Sequence, residues 1–425
     1  MDARALRIVV VGGGIGGCAA ALSLHDAGFD DVVVLEAAQE VGELGVGINV
    51  LPHAVRELTE LGLAAELDAA AVATAELAYH NRFGQRIYAE PRGRTAGYRW
   101  PQYSIHRGRL LALLHTAVVD RLGADRYRTE QQVVGIEGTA PDGADVEISD
   151  RTSGRSHTEN ADLVVAADGV HSTIRAQLFP TEGGPLWNGV TMWRGVTEAE
   201  PFLSGATMIM AGTIERRMVV YPITRPDDDG QTLINWVAEL RTDDGRPMPR
   251  QDWSATVDRD EVLSAFGDMR FDWLDVPALI SGAREVLAYP MVDRDPLPRW
   301  THGRVTLLGD AAHPMYPVGS NGASQAVIDG RVLAHALGTI DDVDGALATY
   351  EQERRAATGA IVLANRQVGP ERCMELAAER APEGFDDVHA VFTDAELDEL
   401  SNGYKRVAGF DTATLNERPS LSISR

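Results

Sequence analysis

The chain has 425 residues and carries 63 acidic against 39 basic side chains, a formal charge of −24. That excess argues against a nucleic-acid or anionic-membrane partner, since either needs a basic face. A hydrophobic share of 44% with 24% charged residues is that of a globular chain. At this length it should form two domains, or one domain with a large insertion. Cys18 and Cys373 are the only cysteines, so no disulfide framework is expected and a reducing, cytoplasmic setting is. No signal-peptide pattern precedes the first apolar run. No apolar run reaches the roughly 18 residues a membrane span needs. Neither an internal repeat nor a low-complexity segment is present.

Ile8, Val9, Val10 and Val11 form a β-branched run of the kind a buried parallel strand needs. The chain then breaks into Gly12-Gly13-Gly14-Ile15-Gly16-Gly17 and continues as an Ala/Leu-rich segment, 18–27, that reads as a helix closed by Gly28. A second apolar run, 32–35, ends on Glu36. Gly12, Gly14 and Gly17 fit G-x-G-x-x-G. One permits a tight turn, one lets main chain approach a pyrophosphate, and one lets helix and strand pack closely. Glu36 stands about 20 residues on, where a carboxylate accepts hydrogen bonds from ribose hydroxyls. Strand, glycines, helix, strand and acid in one unit predict a dinucleotide site. The bland reading of Cys18, just inside the helix, is a small packed side chain.

Residues 42–49 form a glycine-dense loop and 52–61 have helical spacing. Residues 77–88 read as a hairpin leaving the nucleotide domain. A helical pattern opens near His106-Arg107-Gly108, where Arg107 is either a phosphate or ribityl contact or an ordinary surface arginine. Residues 132–136 and 146–148 look like a small meander. The run 162–167 is another buried strand, ending on Asp168-Gly169 with Ser172 and Arg175 at helical spacing. That acid is either a ligand at the sheet's binding edge or part of a simple Asp-Gly turn.

From about 189 to 289 the pattern alternates, with strands expected over 191–196, 207–210, 218–221 and 233–240. They bring Met192, Trp193, Met208, Met210, Tyr221 and Trp236, which form either a buried sheet face or the lining of an apolar pocket. The chain then returns: 304–308 is a strand ending on Gly309-Asp310-Ala311-Ala312-His313-Pro314. A loop, 315–320, leads into a helix from near Asn321-Gly322 through Gly330. Residues 341–368 are mostly helical. His313 is a candidate acid or base, and equally a structural histidine.

Three motifs now stand in order: residues 12–17 with Glu36, Asp168-Gly169 with Arg175, and Gly309-Asp310 with His313-Pro314. Together they resemble the single-component (group A) FAD-dependent aromatic monooxygenases, over the chain to about Pro370. The phrases at 45–49, 103–108, 191–196 and 289–296 resemble the phenazine-modifying branch, with salicylate-type hydroxylases next. The loop departs from many relatives in reading Ser320-Asn321-Gly322-Ala323-Ser324, where they carry glutamine and asparagine.

The resemblance implies an α/β fold: a Rossmann-like, glutathione-reductase-like FAD domain, an interposed mainly antiparallel β-sheet substrate domain and a C-terminal helical region. The expected division gives 1–75, 101–180 and 291–370 to the FAD domain. It assigns 76–100 and 181–290 to the substrate domain and 371–425 to a helical tail. It places FAD, held tightly but not covalently, on the fingerprint residues with Ile15 and Glu36, then Gly47, Ile48, Arg107, Val133, Asp168, Gly169 and Arg175. Beyond these come Gly309, Asp310, Pro317, Gly319, Asn321 and Gly322. A helix starting near Gly319 would aim its N–H groups at the flavin N1–C2=O edge. Pro317 falls beside the flavin C4a, and Tyr316, Pro317, Gly319 and His313 are the catalytic candidates.

The implied reaction takes hydride from transiently docked NADH or NADPH and O2 through a flavin C4a-hydroperoxide onto a carboxylated, phenazine- or salicylate-like ring. No second nucleotide unit, protein nucleophile or metal is expected, and the assembly is expected to be a monomer or homodimer. An FAD reductase of an unsaturated isoprenoid would share the motifs without oxygen insertion. A non-enzymatic binding protein would lack an intact stretch from 309 to 322.

Overall fold

Strand β1 (Ile8–Val11) is buried on both faces, which is why all four of its residues can be aliphatic. The computed structural model describes residues 6–42, 45–140, 143–242, 248, 256–367, 369–397, 399 and 411–423. Glu43 and Leu44 of the glycine-dense loop, and Val368 at the end of the expected long helix, lie outside them. β1 runs into helix α1 (Ile15–Asp26) and then β2 (Val32–Leu35), parallel to β1 in the register Ile8↔Val32. β3 (Leu163–Ala166) joins β1 from the other side, and β4 (Val305–Leu307) joins β3, both in parallel. Short strands at Tyr127–Arg128 and Thr301–His302 complete a six-stranded sheet. Three remote stretches of sequence thus bring their loops, after β1, β3 and β4, to the same carboxyl-terminal edge.

A seven-stranded sheet forms the second layer. Its order is Val286–Asp293, Leu186–Ala199, Thr232–Arg241, Arg216–Pro222, Thr207–Gly212, Glu76–His80 and Arg86–Pro91. All its pairings are antiparallel except that between Thr207–Gly212 and Glu76–His80. The strand at Glu76–His80 and its partner therefore lie on this sheet's edge, far from their neighbours in sequence.

Two expectations from the sequence need correction. Residues Gly47–Val50, expected as loop, form a strand paired with Gln102–His106. The helix expected to end at Gly330 is α2 (Gly322–Thr339), and Gly330 lies inside it. A Cβ at Gly330 would stand 2.8 Å from the Ala20 Cα, so the glycine marks close helix packing, not a cap. Helix α3 (Val343–Asn365) packs along α2.

Beyond Pro370, the helix Arg372–Arg380 lays Cys373, Met374 and Ala377 against the seven-stranded sheet, joined by Phe392 and Leu397. The last described segment returns to the nucleotide layer. There Arg56 donates to the carbonyls of Leu415, Arg418 and Pro419. No described helix is long and apolar enough to cross a membrane.

Candidate active site

At the fingerprint turn the glycines have separate causes. Gly12 has φ +97°, and a Cβ there would lie 2.5 Å from the Ala167 carbonyl oxygen. At Gly17 a Cβ would lie 1.9 Å from the Gly12 oxygen, so only glycine lets the helix start this close to the strand. Gly14, the N-cap of α1, has nothing within 4 Å of its Cβ position, and the cap carries no side-chain hydrogen bond. The first turn of α1 contains no acid, so its amides and dipole are open to an anion.

Glu36 sits one residue beyond β2. Its carboxylate accepts from the Gly13 N–H at 2.7 Å and the Ala38 N–H at 2.8 Å, with lone pairs left over. The Gly13 carbonyl is turned inward, taking the Tyr127 hydroxyl at 3.1 Å and the Cys18 thiol at 3.3 Å. Cys18 is thus packed as expected, with burial holding its thiol far above the usual range. Tyr127 is a residue the sequence reading missed, and no local pattern announces it. Val133 is buried in the strand after Gln131, whose N–H bonds the Glu36 carbonyl.

The loops after β3 and β4 supply two acids. Asp168 accepts from the Ile174 N–H, while its Oδ1 is buried without a partner. Burial raises its carboxyl pKa, against the opposing pull of Ser172 and the Ile174 amide. Asp310 is open to solvent yet densely walled by protein, as at the floor of a cleft. Burial raises its pKa and Asp329 adds to this, while His313 and Arg107 oppose it. Arg107 opens its helix with an exposed side chain whose charge acts on this acid. A partnerless buried oxygen, an open glycine cap and a walled acid fit a large dinucleotide cofactor along this edge.

Five sequence-predicted residues are engaged elsewhere. Arg175 is a brace. Its guanidinium grips Glu182 and donates to the carbonyls of Ala311 and Ala312 at 2.9 Å, locking the Asp168 and Asp310 loops together. Gly47 is consumed by the sheet: its N–H goes to Asn235 Oδ1 at 2.6 Å, and its carbonyl takes Arg194 and the Tyr221 hydroxyl. Ile48, next in that strand, is half-buried against the core.

His313 is structural. Buried at 3% exposure, it places Nε2 2.6 Å from Asp329 Oδ2. Tyr316 is no ready acid or base either: burial pushes its hydroxyl pKa up to about 12, and the charge of Asp293 adds to this.

Asp329, on α2, is the second missed residue. Fully buried, it also accepts from the Gly309 N–H at 3.0 Å and from Arg354 Nε at 2.7 Å. Arg354, on α3, reaches on to Gln325 at 2.5 Å. The signal was present: Asn321, Gln325 and Asp329 recur every four residues, a polar stripe on one side of an otherwise Ala/Val/Leu-rich helix.

The flavin-loop candidates lie between Tyr316 and α2. Pro317 and Gly319 are exposed at the cleft, and both Gly319 (φ +67°) and Ser320 (φ +58°) are left-handed. α2 begins at Gly322 with Asn321 as its cap, where the chain-order reading placed it and not near Gly319 as the resemblance implied.

Strand alternation splits the proposed substrate residues. Met192, Met208, Met210 and Tyr221 share one face with Tyr289, Met291, Tyr316 and the C-terminal Met374. Trp193 and Trp236 lie on the other face, against the helices Arg259–Phe266 and Val276–Gly282. Their indoles donate to Glu261 at 3.2 Å and Thr197 at 3.1 Å. Adjacent residues of one strand cannot both line one pocket, so the two tryptophans leave the substrate set.

Residues 5–364 match the family model described as FAD binding domain. The chain is 48% identical over 363 residues to the phenazine 1,6-dicarboxylic acid hydroxylase PhzS of Lysobacter antibioticus, spanning 84% of this chain and 89% of that one. It is 33% identical over 372 residues to the 3-amino-4-hydroxybenzoate 2-monooxygenase PtnB3 of Streptomyces platensis, spanning 86% and 88%. A solved salicylate hydroxylase substrate complex shares the fold with a TM-score of 0.73 at 24% identity, over 99% and 98% of the two chains. Klebsiella pneumoniae HpxO complexed with FAD and uric acid shares it at 0.69 and 23% identity, over 97% and 95%. The chain therefore belongs to the FAD-dependent aromatic monooxygenases.

Proposed function

We propose that this enzyme hydroxylates a planar, carboxylated, multi-ring aromatic of the phenazine type. The observation that carries the reading is the methionine-rich apolar cluster on one face of the sheet (Met192, Met208, Met210 and Met291, with Met374 packed over it), which also holds Tyr221, Tyr289 and the Tyr316 that leads into the Pro317–Gly319 loop. Thioethers are polarisable and adaptable, and they pack well against extended aromatic rings. The 48% identity to a phenazine dicarboxylate hydroxylase supports the same ring class.

Bound FAD supplies hydride acceptance from NAD(P)H and activation of O2 for transfer of one oxygen to an aromatic carbon. Overall, ArH, O2, NAD(P)H and a proton give ArOH, water and NAD(P)+. In this reading the amides after Gly14 and at Ile15 hold the pyrophosphate, and Glu36 holds the adenosine ribose. Asp310 and Arg107 would hold the ribityl arm. Asp168 and Gly169 border the approach of the nicotinamide. The loop through Pro317, Gly319 and Asn321 would hold the flavin ring, and the free amides at the start of α2 would favour negative charge on it. The apolar sheet face keeps water from the ring carbon.

The test is O2 uptake and NAD(P)H oxidation by the FAD-loaded enzyme with phenazine-1-carboxylate, phenazine-1,6-dicarboxylate, salicylate and 3-hydroxybenzoate. Phenazine carboxylates should stimulate both rates and yield hydroxylated product. Product mass then separates plain oxygen gain from hydroxylation with loss of CO2. Stimulation by the single-ring acids alone would overturn the reading.

The two sheet faces make a sharper expectation. Met210→Ala should raise KM for the aromatic by roughly tenfold, the scale of one lost apolar contact at about 1–2 kcal/mol. Trp236→Phe should lower Tm and leave KM where it was. Steady-state kinetics beside thermal melts decides this, and a KM change confined to Trp236→Phe would put the pocket on the wrong face.

A further inference from the structure

Arg194 lies within the strand Leu186–Ala199, opposite Val237 on one side and Leu287 on the other, so its side chain leaves the sheet on the methionine-rich face. A guanidinium among apolar side chains needs a counter-charge or a full set of acceptors. Arg217, on the same face, has one: Glu239 accepts from its Nε at 2.7 Å and lies 2.6 Å from its Nη2. Arg194 makes no ion pair with any carboxylate among the described residues. Its Nη2 donates to the Gly47 carbonyl at 2.7 Å, and its Nε is buried without a partner.

The Gly47 peptide groups hold two more side chains from this face. The Tyr221 hydroxyl donates to the same carbonyl at 2.8 Å, and Asn235 Oδ1 accepts the Gly47 N–H at 2.6 Å. Asn235 is fully buried, and its Nδ2 also lacks a partner. Two buried N–H donors without acceptors therefore belong to side chains tied to one glycine. The residue before it, Val46, accepts from the Arg107 N–H at 3.0 Å, which joins this spot to the cofactor cleft. Arg194 and Arg107 both act by charge on the buried Tyr289, opposing the rise that burial gives its hydroxyl.

We propose that Arg194 is the specificity-determining residue that binds the ring carboxylate of the substrate, with its Nε donating to one oxygen while Nη2 keeps its hold on Gly47. The carboxylate supplies the counter-charge that the chain does not, and the apolar side chains around Arg194 strengthen the pair by excluding water. Met192, two residues earlier on the same face, is placed to pack against the ring that bears the acid. The proposal deepens the phenazine reading, and the seat itself asks for an acid on the ring, whatever the number of rings.

Titration calorimetry on the oxidised, FAD-loaded enzyme tests this without turnover. The wild type should bind phenazine-1-carboxylate at least about tenfold more tightly than the uncharged phenazine-1-carboxamide. Arg194→Met keeps the apolar stem; it should retain FAD, weaken the carboxylate about 10- to 100-fold and leave the carboxamide within about twofold. Arg194→Lys should recover part of the loss, since it keeps the charge without the fork. Equal weakening of both ligands by Arg194→Met, or no weakening of the carboxylate, would overturn the proposal. Where Arg194→Met does not fold, the wild type decides: equal affinity for carboxylate and carboxamide sinks the seat, and the tenfold preference upholds it. Should the wild type bind neither phenazine, the ring class proposed above fails, and salicylate against salicylamide then puts the seat to the same comparison.

Discussion

Gly14→Val is expected to fold with nearly native stability and to lose FAD. The backbone at Gly14 is extended (φ −71°, ψ −173°), which any residue adopts, and no atom lies within 4 Å of the new Cβ. The penalty to the empty protein is that of a poorer helix cap, about 1 kcal/mol. The branched side chain, however, would stand in the space that the fingerprint keeps for a pyrophosphate. An affinity loss of about 100-fold or more is expected, equivalent to roughly 2.7 kcal/mol. Gly17→Ala provides the contrast: its Cβ meets the Gly12 oxygen at 1.9 Å, so the turn itself must move and Tm must fall. FAD titration by fluorescence, run beside thermal melts of the apoproteins, separates the two. If Gly14→Val bound FAD like the wild type, the pyrophosphate would not lie at this turn.

The contrast between these two glycines also explains what could be read from the sequence. The fingerprint was legible because each glycine answers a local need of the backbone within one strand–turn–helix unit. The acids Asp168 and Asp310 were legible for a similar reason, each following a buried strand directly. Arg175 had the right spacing, but its partners lie in the Glu182 turn and the Ala311–Ala312 segment, and spacing cannot show where a guanidinium points. Trp193 and Trp236 were drawn into the pocket by size, although period two placed Trp193 opposite Met192. Gly47 was given to the cofactor for lack of any sign that Asn235, about 190 residues away, would claim its amide. The tail beyond Pro370 carried no motif, because covering an apolar sheet face needs only helical spacing of Met374 and Ala377. What stayed hidden were side chains acting at long range.

Asp329 is the most consequential of these. It binds Gly309 N–H, His313 and Arg354 at once, and Gly309 carries the turn that presents Asp310 to the cleft. Asp329→Asn keeps the volume but leaves the buried Arg354 without its counter-charge, a loss of about 3–5 kcal/mol. FAD retention should fall with stability, since the Asp310 turn loses its anchor. In the double variant with Arg354→Met the loss should be smaller than the sum of the two single losses, because the residues share one network.

The same group sets an acid limit. Burial alone would raise the Asp329 pKa, but His313 and Arg354 outweigh it and bring it down to about 2 from 3.8. A carboxylate lowered on folding stabilises the native state above its unfolded pKa and loses that contribution as pH falls through the folded one. The wild type should therefore destabilise and shed FAD as pH drops from about 4 toward 2, with Asp329 contributing roughly 2 kcal/mol of the change. Asp329→Asn should be less stable throughout and show a shallower slope in that window. Chemical denaturation from pH 5 to about 2 measures both slopes. Parallel slopes in the two proteins would show that Asp329 is not the acid-sensitive anchor of the cleft.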